Sequence, residues 1–160
     1  MQTVKIICVG NLKEKYWRDA VNEYSKRLGA FCKFSIDEIA EYKLPNNPAE
    51  KDIEKALNEE GKIFLKHAAD ARCKIIPLVI EGKTYSSEGL AKMIENEAVG
   101  GESAIAFVIG SSHGLSDEVK KAGKGISMSP MTFPHQLARV MLCEQIYRAF
   151  SINNGSKYHK

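Results

Sequence analysis

Three stretches of this 160-residue sequence carry residue types that could do chemistry: residues 110–114, residues 127–134 and the terminal Tyr158-His159-Lys160. Gly110-Ser111-Ser112-His113-Gly114 follows an apolar run and precedes a helix-capping serine, Ser116. A glycine-bearing turn there lets backbone N–H groups approach a ligand at the carboxyl end of a parallel strand, where α/β proteins place ligands. A plain strand-to-helix turn would use similar residues. The turn lacks the G-x-G-x-x-G of dinucleotide folds and the Gly-Lys-Ser/Thr of phosphate loops, so NAD, ATP and GTP gain no support.

The second stretch, Ser127-Met128-Ser129-Pro130-Met131-Thr132-Phe133-Pro134, is rich in proline and apolar groups for a solvent loop. Its prolines fix the backbone, while Met128, Met131 and Phe133 offer soft or flat apolar surface beside free backbone donors and acceptors. Such a lining suits a neutral purine better than a triphosphate; the other reading is a buried connection into the last helix. His135 and Arg139 then sit one turn apart, as do Glu144 and Arg148, the latter pair also an ordinary helix-stabilising arrangement. In the tail, a phenol, an imidazole and an ammonium could stack on a base, move a proton and hold a phosphate, although chain ends usually fray.

Other chemistries find little support. The four cysteines, Cys8, Cys32, Cys73 and Cys143, form no Cys-x-x-Cys pair and have no histidines at metal-ligand spacing, so reduced thiols and no metal are expected. No apolar run approaches the length of a membrane span and no basic-then-apolar leader follows Met1, which leads to the expectation of a soluble, cytoplasmic protein without membrane partners. The net charge of +3 is uneven: seven Lys/Arg stand against three Asp/Glu over residues 1–33, and four against one over residues 134–160. If the fold joins these ends, they make a basic surface suited to RNA; otherwise Lys13, Lys15, Arg18, Lys26 and Arg27 are the wet side of a helix.

The elements that must position these residues read as one α/β domain over residues 1–160. Five β-like runs, at residues 3–9, 34–39, 75–80, 104–109 and 126–128, alternate with helical patterns. Trp17, Ala20, Val21, Tyr24 and Leu28 form one helical stripe. A second helix is expected after Asn47, with Asn47 as cap and Pro48 in the first turn, carrying Ile53, Ala56, Leu57 and Phe64. Residues 86–97 give a third helix with Leu90 and Ile94 inward, and Ser116-Asp117-Glu118 opens a short fourth. Pro45-Asn46-Asn47-Pro48 reads as a surface connection. The last helix, residues 135–150, is apolar nearly all round and needs cover on both sides, from the sheet and from a second subunit. The alternative is a helix wholly inside a monomer.

Taken together, Ile80-Glu81-Gly82-Lys83, Ser86-Ser87-Glu88-Gly89-Leu90-Ala91, Phe107-Val108-Ile109-Gly110, Gly114-Leu115, Met131-Thr132-Phe133-Pro134-His135-Gln136-Leu137, Arg139, Glu144-Gln145-Ile146-Tyr147-Arg148-Ala149-Phe150 and Tyr158-His159-Lys160 resemble the ribosomal RNA large subunit methyltransferase H family. The likeness covers essentially the whole chain. It implies a SPOUT-class fold, a mostly parallel five-stranded sheet flanked by helices with a C-terminal trefoil knot, although knots are excluded by default expectation. It also implies a homodimer that uses S-adenosylmethionine to methylate N3 of a pseudouridine in 23S rRNA on the assembled ribosome, with no role for DNA. The family's cofactor contacts fall on Leu78, Gly110, Met128, Ser129, Pro130, Met131, Thr132 and Phe133. Ser111 departs from the second glycine that members often carry.

Under that reading, His135 or Tyr158 manages the N3 proton, and Arg139 and Arg148 bind phosphate or the O2/O4 anion. Lys157, His159 and Lys160 engage the RNA, with the tail serving either its own or the partner's site. The rivals are a non-catalytic ribosome-binding or assembly factor and a general nucleotide-binding α/β protein.

Overall fold

The structure, a computed structural model, describes residues 1–160. Its centre is set by two strands, β1 (Thr3–Val9) and β4 (Ala104–Ile109), that run side by side in parallel. Alternate side chains of a strand point to opposite faces. Val4, Ile6 and Cys8 of β1 therefore join Ile105, Phe107 and Ile109 of β4 on one face, while Ile7 and Val9 join Ala106 and Val108 on the other. Every residue of β4 is buried, which is why that strand reads as an unbroken apolar run.

Three more strands complete the sheet: β2 (Lys33–Ile39), β3 (Lys74–Thr84) and β5 (Ile126–Ser127). Their order is β2-β1-β4-β3-β5, and every strand pair is parallel. On one face lie α1 (Lys15–Leu28), α3 (Ser87–Val99) and α5 (His135–Asn153), contributing Val21, Leu90, Ile94, Leu142 and Ile146 to the larger core. The other face is covered by α2 (Glu50–Asp70) and α4 (Asp117–Lys121) through Phe64, Ala68 and Val119.

The expected elements all form, with three differences. The second helix begins at Glu50 rather than beside Asn47, because Asn47 takes a left-handed conformation (φ 50°) and the Ala49 N–H is instead accepted by Asp52 Oδ2 at 2.9 Å. β3 runs on to Thr84: it leaves β4 after Pro77 and pairs with β5, with a register shift between Leu78 and Lys83. Gly82 makes that second pairing possible, since a Cβ there would stand 2.7 Å from the backbone of Gly125 and Ile126. Finally, β5 ends at Ser127, so Met128 already belongs to the loop.

Cys8, Cys32 and Cys143 are buried, and burial pushes their thiols up to about 12. Helix α1 packs along α5, so the two basic ends of the chain do meet. Lys13, Lys15, Arg18, Lys26 and Arg27 are all exposed, with Lys15 and Arg27 paired to Asp19 and Glu23 on their own helix. Helix α5 is not wholly enclosed: Leu137, Val140, Met141 and Tyr147 remain half-buried. No helix is long and apolar enough to cross a membrane.

Candidate active site

Parallel strands bring their carboxyl ends to one edge of the sheet, and the loops that leave β4 and β5 meet there. Ile109 enters the first loop, whose turn closes through Gly114 N–H to Ser111 O at 2.9 Å and a bridge between Ser111 and Gly114. Gly114 holds φ 88°, a left-handed conformation that glycine adopts without strain. Gly110 is needed for a different reason: a Cβ there would overlap the Gly114 carbonyl oxygen. The second loop is tied by its own serines, with Ser127 Oγ donating to Ser129 O and Ser129 Oγ accepting from Met131 N–H, both at 3.0 Å. It delivers Pro134 to the start of α5 and His135 to its first position.

Between the loops and the end of β3 lies a cleft of about 550 Å³. Of the residues marked out in the sequence, Leu78, Gly110, Met128, Ser129, Met131, Thr132, Phe133 and His135 line it together. Pro130 does not; it is exposed and turns the loop from outside. Val79, Ile80 and Ala138 also line the cleft, and nothing in their local sequence distinguishes them from core residues. The lining is apolar with hydroxyl and backbone polar groups, and the volume is that of a small-molecule pocket. These residues fit a neutral purine nucleoside better than a polyphosphate.

Arg139, one turn beyond His135, is not among the cleft residues. It is 2% exposed and its guanidinium is committed inward: Nη1 donates to Glu38 Oε2 at 2.6 Å, and Nη2 to the carbonyl oxygens of Val9 and Gly10 at 3.3 and 3.0 Å. It fastens the first turns of α5 to the end of β1, and its Nε, also buried, has no partner.

The tail forms a second cluster. Glu144 Oε1 accepts from Arg148 Nε at 2.9 Å and from the Tyr158 hydroxyl at 3.1 Å. Arg148 also lies 4.8 Å over the Tyr158 ring, which stands edge-on to Tyr147. The His159 ring links Arg148 Nη1, 3.2 Å from Nδ1, to Glu88 Oε1, 2.8 Å from Nε2; the network assigns the Nε2–H tautomer. Burial, reinforced by Tyr24 and Glu144, pushes the Tyr158 phenol up to about 12, so it is a proton donor at neutral pH. Lys157 and Lys160 are exposed.

Cleft and tail do not meet within one chain. Arg148 follows His135 by thirteen residues on the same helix, a separation of about 20 Å at 1.5 Å per residue.

A parallel α/β sheet with two loops enclosing an apolar cleft at its carboxyl edge defines an α/β protein with a small-molecule pocket where this class places its ligands. A family model described as "Predicted SPOUT methyltransferase" matches residues 1–159. Proteins named ribosomal RNA large subunit methyltransferase H are similar over nearly the full length. That of Clostridium novyi (strain NT) is 50% identical, and those of Clostridium botulinum (strain Eklund 17B / Type B) and Streptococcus thermophilus (strain ATCC BAA-491 / LMD-9) are each 49% identical; each match covers 98% of this chain and 99% of the relative. A crystal structure of TrmJ from Z. mobilis overlays with a TM-score of 0.46 at 10% identity, covering 93% of this chain and 70% of that one. The chain belongs to the SPOUT methyltransferases and, among them, to the ribosomal RNA large subunit methyltransferase H family.

Proposed function

We propose that this protein is an S-adenosylmethionine-dependent methyltransferase that acts as a cytoplasmic homodimer and methylates N3 of a pseudouridine in 23S rRNA on the assembled ribosome. The observation that carries this reading is the cleft itself: two loops far apart in sequence from Leu78 converge with it on one apolar pocket of nucleoside size. Membership of the family supplies the reaction class, and the family also brings the expectation of a C-terminal trefoil knot.

S-adenosylmethionine, when bound, supplies a methyl group already activated by its sulfonium. The protein's part is then to hold donor and acceptor in line and to take the weakly acidic N3 proton. Leu78, Met128, Met131 and Phe133 give the cleft its apolar walls, and Gly110 keeps the first loop close enough to complete it. His135 stands at the cleft and accepts the proton. Tyr158, held protonated by burial, donates a hydrogen bond, and Arg148 stabilises the anionic ring or a phosphate. Lys157, His159 and Lys160 engage the RNA backbone. Arg139 acts by positioning the start of α5 rather than by touching RNA.

The separation of about 20 Å between His135 and Arg148 supports a site completed across the dimer, one protomer's tail serving its partner's cleft. The half-buried stripe of Leu137, Val140 and Met141 on α5 supports that helix as the interface.

Calorimetry with S-adenosylmethionine tests the reading: saturable binding is expected. Gly110→Ala should weaken it at least tenfold and cost about 1–3 kcal/mol of stability, because the loop must move off the Gly114 carbonyl. An absence of binding by the unaltered chain would favour a ribosome assembly factor. Labelled methyl transfer compared across assembled ribosomes, free large subunits and naked RNA then identifies the substrate particle.

A further inference from the structure

A separate groove of about 450 Å³ lies between β3, α3 and the segment that leads into β5, and it shares no residue with the cofactor cleft. Four lysines line it: Lys74 and Lys83 from β3, Lys92 from α3 and Lys124 from the approach to β5. All four are exposed, and Glu97 is the one carboxylate among the lining residues. Like charges gathered in one place repel, so such a groove suits an anion.

Pairing within the groove is incomplete. Lys74 Nζ lies 2.7 Å from Glu97 Oε2, and Lys92 Nζ lies 3.0 Å from Glu95 Oε2, whereas Lys83 and Lys124 pair with no carboxylate. The Lys83 ammonium stands instead 4.9 Å from the centre of the half-buried Tyr85 ring, a cation–π contact that keeps its charge at the groove. Spacing along the chain does not mark this patch. The two ends hold more positive charge than the whole chain, so the stretch between them is net acidic. The fold gathers the lysines: β3 leaves β4 to pair with β5, and the Lys83 N–H donates to Gly125 O at 3.1 Å, beside Lys124.

Helix α3 joins the groove to the tail. Glu88 and Lys92 stand four residues apart on one helix face, a rise of about 6 Å. Glu88 Oε1 accepts from His159 Nε2 at 2.8 Å, so the tail docks one turn from Lys92, and Gly89 between them lines the groove.

We propose that the lysine groove is a second RNA-contact surface: it holds sugar–phosphate backbone of the substrate rRNA away from the reacting nucleotide, with Lys83 and Lys124 as its free charges and the tail continuing the path. The proposal deepens the methyltransferase reading and rests on it for RNA as the polyanion. Exposed ammonium groups on flexible stems act as point charges, which suits a phosphate backbone and reads no base.

The test is binding of the full-length chain to assembled ribosomes, followed from about 50 to about 200 mM salt, for the unaltered protein, Lys83→Gln, Lys124→Gln and the double variant. Each lost phosphate contact should make the slope of log affinity against log salt shallower by about 0.7–0.9, and the double variant should lose nearly twice that. At the low-salt end, affinity should fall about threefold per lysine. Lys83→Arg, which keeps the charge, should match the unaltered chain. Glu97→Gln, which frees Lys74, should tighten binding and steepen the slope. Affinity for S-adenosylmethionine should not move, since neither lysine lines the cleft.

An unchanged slope in the double variant overturns the proposal. So does lost affinity with the slope preserved, which would assign the groove to a ribosomal protein, and so does an unaltered chain that does not bind ribosomes. Failure of the unaltered chain to bind S-adenosylmethionine would overturn the proposed function instead. The ribosome-binding measurement, which needs no methyl donor, still decides the role of the groove.

Discussion

Arg139 and Glu60 are both buried ionisable side chains, and each bonds backbone rather than facing a ligand. Removing the Arg139 guanidinium leaves the Val9 and Gly10 carbonyl groups without their donor, while the Glu38 carboxylate, 43% exposed, turns to water. Arg139→Met should therefore cost roughly 2–4 kcal/mol in urea unfolding, and Arg139→Lys should also destabilise, since one ammonium cannot reproduce the fork. A residue in direct contact with RNA would instead lose turnover with stability intact. For Glu60, burial pushes the carboxyl up, outweighing the hydrogen bond from the Tyr42 backbone N–H. A raised native pKa contributes stability that is present below the ordinary carboxylate range and lost as pH rises through the raised value. The stability of the unaltered chain relative to Glu60→Gln should accordingly fall as pH is raised from about 4 toward neutrality, read as urea midpoints of the two proteins.

At the scale of elements, α2 and α4 meet where glycine replaces a side chain. In an exposed helix Gly→Ala stabilises by about 1 kcal/mol. At Gly61 the sign should reverse, with Gly61→Ala destabilising by about 1–2 kcal/mol in thermal or urea unfolding, because the new methyl displaces Ser116 Oγ from its bond to Val119 N–H at 3.3 Å. That contact was not legible in the sequence, where Gly61 reads only as a weak point in a helical pattern. Ser86, read as the first residue of its helix, instead caps it and accepts the Gly89 N–H, whereas the cap Ser116 was legible and accepts the Val119 N–H three residues on. The start of α2 was not: Asn47 has the right residue type for a cap, but its left-handed backbone takes it out of the helix and hands the role to Asp52. Likewise, the end of β3 hides behind Gly82, whose value is its lack of a side chain beside a crossing strand.

For the whole molecule, the decisive geometry is the distance between cleft and tail. If the site is completed across a homodimer, a chain truncated after Gly155 and a chain carrying Gly110→Ala should each lack activity alone, yet mixed dimers should regain one working site per dimer. Co-purified, differently tagged chains assayed for labelled methyl transfer read this directly; no recovery would assign the tail to its own cleft. The sequence by itself determined the α/β class, the strand and helix order, the two loops and the tail, because alternation, caps and turn residues are local signals. The tertiary structure alone decided that Leu78 and the two loops share a pocket, that Pro130 stands outside it, and that Arg139 faces inward to Glu38. Each of these depends on which distant segments the parallel sheet brings to its carboxyl edge, and spacing along a chain carries no record of that approach.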